Sequence, residues 1–181
     1  TLLFFVFSLL TVAGFSQQII WGEADEHDSP NMPYEIIGRF DSSYLIYKSV
    51  KNSNYICIYN EDMQVIESHE LDFLPSKMLD IDIIKNKQQF TIIWQQQKNG
   101  IVFCYGTVMN ANMQQVIPAQ LLDTTRLGQF ADNKIYLTGY SEDKSKLLVY
   151  KRYVQRGDIQ VMAKVYDNRL NMLDSSRFTF D

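Results

Sequence analysis

Residues that carry metal or nucleophilic chemistry are scarce: the 181-residue chain has two histidines and two cysteines. HExxH, an EF-hand loop, the phosphate-cradling GxxxxGK(S/T) and the nucleophile elbow GxSxG are all missing. We therefore assign no catalytic residue, no metal ligand and no cofactor from sequence. Basic residues are also in deficit, 17 Lys and Arg against 21 Asp and Glu for a formal charge of -4. That balance withholds the electropositive footprint nucleic acid requires. No Lys/Arg cluster flanks an apolar helix, so adsorption to an anionic membrane surface is not indicated. Helical periodicity sustained over ten or more residues is absent as well. What the chain does have is apolar content, 46% hydrophobic and 13% aromatic, which argues against disorder. Its length suits about one domain with a real core.

The N-terminus carries the longest apolar run, "TLLFFVFSLLTVAGFS" over residues 1–16. A bilayer span needs about 20 such residues. The run instead matches the hydrophobic region of a signal peptide, with Gly14 and Ser16 at -3 and -1 of a cut before Gln17. No cysteine sits near the cut, which argues against a lipoprotein anchor. Export to the periplasm, cell surface or exterior is the expectation, with no stable membrane span in the mature chain. Residues 17–33, "QQIIWGEADEHDSPNMP", read as an acidic tether or a loosely attached strand.

From Tyr34 the texture becomes short apolar or alternating runs divided by turn residues, the pattern of an all-β chain. The runs fall into three rounds of four. "YEIIGRF", "YLIYKSV", "YICIYN" and "QVIESHEL" form the first; "MLDIDII", "FTIIWQQQ", "IVFCYGTVMN" and "QQVIPAQLL" the second; "KIYLTGYS", "LLVYKRYV", "IQVMAKVYD" and "NMLDSSRFTF" the third. In each round one motif links the third run to the fourth: "IYNEDM", "VMNANM" and "VYDNRL". Asn60, Asn110 and Asp167 can each accept bonds from backbone amides two residues on and so start a turn. An apolar residue (Met63, Met113, Leu170) and an amide (Gln64, Gln114, Asn171) then restart the strand.

The spacing is 50 residues from Met63 to Met113 and 57 from Met113 to Leu170. Four-stranded meanders at about 40 to 50 residues mark propeller blades. On these motifs the chain, over Tyr34 to Asp181, resembles the secreted bacterial β-propeller repeat proteins. The Gly-His and Trp-Asp dipeptides of WD repeats and the paired glycines of kelch repeats are absent, so the resemblance transfers no functional residue. The fold expectation is all-β: repeated four-stranded antiparallel meanders forming a partial β-propeller of about three blades over residues 34–181. A β-sandwich or curved meander sheet is the alternative. Closed propellers use about 4–8 blades, so these three are expected to be the front part of a longer propeller. Their apolar faces would then pair with C-terminal blades or by self-association.

Aligning the rounds on Tyr59, Met109 and Tyr166 sets Cys57 and Cys104 an odd number of positions apart, on opposite strand faces. A disulfide needs Cα atoms within about 7 Å and converging Cβ directions. Two buried thiols are expected instead, even in an oxidising compartment.

Candidate chemistry is thin. Asp80 and Asp82 in "LDIDI" share one strand face and could act as acid and base in glycoside hydrolysis; paired carboxylates more often mark the wet face of a half-buried strand. His27 sits among acids in the tether, and His69 among Glu67, Glu70 and Asp72. Neither has metal-site spacing, and His69 is expected to be a strand residue with a hydrogen-bond partner. "RGD" at residues 156–158 reads as a hairpin turn. Most aromatics should fill inter-blade space. Trp94, beside the polar run "QQQKNG", is the one aromatic singled out as a speculative surface ligand contact.

The functional expectation is an exported, non-catalytic binding or scaffolding module for an unknown protein or glycan. The alternative is part of an exported propeller-fold hydrolase or lyase using strand carboxylates such as Asp80 and Asp82.

Overall fold

A computed structural model of the chain describes residues 19, 28, 29, 31–127, 131, 133–155 and 157–180. The apolar run 1–16, His27 and Arg156 lie outside the described residues. No described helix is long and apolar enough to cross a membrane.

The described chain is all-β and repeats a four-stranded antiparallel meander three times. Sheet 1 holds β1 (Tyr34–Phe40), β2 (Ser43–Val50), β3 (Ser53–Tyr59) and β4 (Val65–Glu70). Sheet 2 holds β5 (Asp80–Asn86), β6 (Gln89–Lys98), β7 (Ile101–Asn110) and β8 (Gln115–Arg126). Sheet 3 holds β9 (Tyr136–Tyr140), β10 (Lys146–Gln155), β11 (Asp158–Asp167) and β12 (Met172–Phe180). In all three the strands pair in sequence order. The expected strands correspond one to one with these, differing only at their ends.

The three linking turns share one geometry. Asn60 Oδ1 accepts from Gln64 N at 2.8 Å, Asn110 Oδ1 from Gln114 N at 3.0 Å, and Asp167 Oδ1 from Asn171 N at 2.8 Å. Bonds from the amide two residues on also form, from Asn112 to Asn110 and from Arg169 to Asp167. The next apolar residue is left-handed in each copy: Met63 at φ 57, Met113 at φ 59 and Leu170 at φ 61. A register shift follows at the same repeat position, after Ile58, Val108 and Val165. This kinked entry aims the apolar side chain into the core. Leu170 is 3% exposed, and Met113 packs against the first core cluster.

Two seams hold most of the core. The first joins sheets 1 and 2, with Leu45, Tyr47 and Ile56 meeting Phe90, Ile92 and Met109. The second joins sheets 2 and 3, with Ile93, Cys104, Val108 and Leu122 meeting Tyr136, Leu147, Tyr166 and Leu170. Sheet 2 is thus buried on both faces, which is why "FTIIW" and "IVFCYGTVM" are nearly continuous apolar runs. Adjacent residues serve opposite seams: Ile83 and Ile92 the first, Ile84 and Ile93 the second. The fourth strands are mostly exposed edges.

Both cysteines are buried thiols outside any disulfide. Cys104 lies in the second seam and Cys57 in a separate cluster on sheet 1 with Ile46 and Tyr59.

Candidate functional site

The first strands of the sheets converge, and their acids gather there. β1 touches β5, and Lys134, just before β9, reaches back to β5. Its Nζ lies 2.6 Å from Asp80 Oδ2 and 2.7 Å from Asp82 Oδ1. Thr138 Oγ1 donates to Asp82 Oδ2 at 2.9 Å. Burial disfavours the Lys134 ammonium, but the two carboxylates outweigh it and hold its pKa above the usual lysine value. Across on β1, Glu35 is pushed above the ordinary carboxylate range, first by burial and then by Asp82 and Asp80; Lys134 opposes both. Three acids and one lysine from all three sheets therefore form an inner cluster with excess negative charge. Its chemistry is limited by Lys134, whose ammonium already bridges the carboxylate pair read from "LDIDI".

The second strands carry a repeated seam position. Because Tyr44 pairs with Tyr59, Phe90 with Met109 and Leu147 with Tyr166, the residues four further on are equivalent: Lys48, Trp94 and Lys151. Lys151 is 7% exposed and donates to Asp123 Oδ2 at 2.7 Å and Thr125 Oγ1 at 2.7 Å. Burial raises the Asp123 pKa, but bonds from Lys151 and Lys164 overcome this and hold it below the ordinary value. Lys48, 5% exposed, meets Asp28 at 2.5 Å.

Trp94 fills the same position at the first seam. It is 3% exposed, stacks on Tyr105 at 5.4 Å between ring centroids, and tilts against Phe73 at 5.8 Å. The expectation of a surface indole is corrected on this point. The polar run after it misled, because those amides face a seam rather than water. Gln95 is 1% exposed; its Oε1 accepts from Ile135 N and Tyr136 N, and its Nε2 donates to Tyr136 O at 2.7 Å. Gln97 Oε1 accepts from Ala131 N at 2.8 Å. These side chains fasten the link between sheets 2 and 3, a role the sequence did not reveal.

At the rim that carries the linking turns, the same two sheets leave an open cleft of about 640 Å³. It is lined by Asn86, Lys87, Gln88, Gln89, Asp143, Ser145 and Asn168. Asn86 Nδ2 donates to Lys144 O at 2.9 Å and ties the two walls together. Asp143 accepts from the Ser141 hydroxyl and from the Ser145 amide and hydroxyl, and those bonds lower its pKa to about 2. It is therefore an anion at neutral pH. Beneath, a smaller adjoining pocket takes in Tyr140, 51% exposed, with Lys144 Nζ over its ring at 4.1 Å. No sequence motif marked this cleft, because its residues come from three loops far apart in the chain.

Other sequence candidates have structural partners. His69 Nε2 lies 3.0 Å from Glu67 Oε1 on the exposed face of β4. Gly157, at φ 96, occupies the tight turn between Gln155 and Asp158. Among the described residues no group of acids, histidines or cysteines is arranged to hold a metal ion. No protein-family model matches the sequence, and no curated protein matches it.

Proposed function

We propose that the chain is an exported β-repeat module that binds a polar ligand, a protein or a glycan, rather than transforming one. The rim cleft carries this reading. Exposed amides at Gln89 and Asn168 and a hydroxyl at Ser145 are groups that pair with neutral hydroxyls and amides, and the ring of Tyr140 stands in the adjoining pocket. They sit on loops fastened to rigid sheets, the usual arrangement for recognition. Export is supported by the apolar run 1–16 with its small residues before Gln17. Membership among secreted β-propeller-like repeat proteins is part of the same proposal, motivated by the three repeated four-stranded meanders.

The test is binding of residues 17–181 to arrayed glycans and peptides. Gln89→Ala and Asn168→Ala should each weaken capture about tenfold, the cost of losing one or two hydrogen bonds, while Asp80→Asn leaves it unchanged. The raised pKa of Glu35 beside two carboxylates favours a second reading, acid–base hydrolysis at the inner cluster. Turnover of an arrayed glycan that is lost in Glu35→Gln would install that reading in place of binding. Export is tested separately: residues 1–33 fused to a reporter enzyme active only outside the cytoplasm should yield activity, and inserting Arg at Phe5 should abolish it.

A further inference from the structure

The seams follow a pairing rule, and the open face of sheet 3 obeys only its first half. Each sheet places one residue, on its fourth strand or just past it, opposite an equivalent third-strand residue: Leu71 bonded to Asn54, Asp123 paired with Cys104, and Phe178 paired with Val161. That residue matches what the next sheet brings to its second strand. Leu71 shares a buried cluster with Trp94, and Asp123 bonds Lys151 at 2.7 Å. An apolar residue meets an aromatic one, and an acid meets a lysine. Upstream of sheet 1, Asp28 bonds Lys48 and repeats the acid–lysine form.

The trailing faces are equivalent too. Tyr47 and Ile56 on sheet 1 are 3% and 0% exposed beneath sheet 2, and Ile93 and Cys104 on sheet 2 are 1% and 0% exposed beneath sheet 3. Their counterparts on sheet 3, Tyr150, Val161, Ala163 and Val165, line an apolar groove of about 430 Å³ with Phe178, which is 50% exposed.

We propose that this groove is a third seam, built to receive a fourth four-stranded sheet of the same repeat that carries an aromatic or apolar side chain, not a lysine, at the Trp94 position. The proposal is independent of the binding reading, since it rests on the two seams already formed. Prior burial decides against a second copy of this chain as the occupant. Its matching face is that of sheet 1, where Ile46, Cys57 and Tyr59 are already buried at 8%, 2% and 6% exposure and so leave no apolar surface to dock. Lys48 is moreover committed to Asp28.

The experiment appends a second copy of a sheet after residue 180 of the full chain and reads hydroxyl-radical oxidation of Phe178. A copy of residues 78–126, bearing Trp94, should protect Phe178 about tenfold better than a copy of residues 134–180, bearing Lys151, as a buried unpaired charge implies. In Phe178→Asp, read at Tyr150, the order should reverse. Equal protection by both copies, or protection by neither, overturns the proposal. So does an unfused chain that is dimeric by analytical ultracentrifugation with Phe178 already protected.

Discussion

Left-handed backbone costs a non-glycine residue about 1–2 kcal/mol, and Lys51 (φ 57) and Leu170 (φ 61) tolerate it for different reasons. Lys51 is an exposed residue of the tight turn closed by the Val50–Ser53 pair. Lys51→Gly should therefore raise stability in urea by about 0.5–1 kcal/mol. Leu170 is 3% exposed. Leu170→Gly relieves the same strain but empties the second seam, so it should cost more than about 2 kcal/mol. The sequence showed Leu170, Met113 and Met63 as apolar residues that restart a strand. Their backbone conformation was hidden, because residue preference assigns positive φ to Gly and Asn.

Asp123 is a charge built into the folded state, bonded by Lys151 and Lys164. Its pKa is depressed by Lys151 and Lys164 against the opposing effect of burial, so the sign of the linkage is fixed. The carboxylate stabilises the fold above its unfolded pKa, and that contribution is lost as pH falls through the lower folded value. Asp123→Asn should cost about 3 kcal/mol at pH 7, chiefly by leaving the Lys151 ammonium buried without its anion. Urea titrations at pH 3 and pH 7 should show a smaller pH dependence in the variant than in the parent. Cys104 gives a second residue-level check. Burial first, and then Asp123, push its thiol up to about 12, so a disulfide-exchange reagent at pH 8 should label it only after denaturation.

At the scale of the element, the linking turn is the repeated unit. Asn110→Ala removes the acceptor for Gln114 N and Asn112 N and should cost about 1 kcal/mol by thermal or urea unfolding. Asp167→Asn installs the residue the other two copies use and should fall within about 0.5 kcal/mol of the parent. The turn was legible because an Asn or Asp between apolar residues has one mechanism at each copy, and three copies lie in step. The strands were legible for a related reason: turn residues separate them, and sheet 2, buried on both faces, is apolar almost throughout. What misled was polarity read locally. Gln95 and Gln97 look solvated beside Lys98 and Asn99, yet they satisfy backbone groups of Ala131, Ile135 and Tyr136 across a seam. Glycine at 106 is another seam device. A Cβ there would stand 3.0 Å from Ile93 Cδ1 and Leu122 Cδ1 and 3.1 Å from Leu170 Cδ1. Gly106→Ala should accordingly cost about 1–3 kcal/mol through overpacking.

For the whole molecule, the seams and the inner strands define where chemistry can sit. The acids of "LDIDI" were visible in the sequence; that Lys134 and Thr138 would reach them from sheet 3 was not, because more than fifty residues separate the partners. The rim cleft was invisible for the same reason, being assembled from residues 86–89, 143–145 and 168. Both places exist only because successive sheets stack through equivalent faces. That stacking is the central claim, and the Leu170 methyl group reports on it directly. Leu170 Cδ1 and Ile93 Cδ1 both lie near the space above Gly106, across the second seam. With methyl-labelled protein, NOEs from Leu170 Hδ1 to Gly106 Hα and to Ile93 Hδ1 are predicted. Their absence in the folded protein, with the strand pairings within sheets 2 and 3 intact, would contradict the stacked-sheet account.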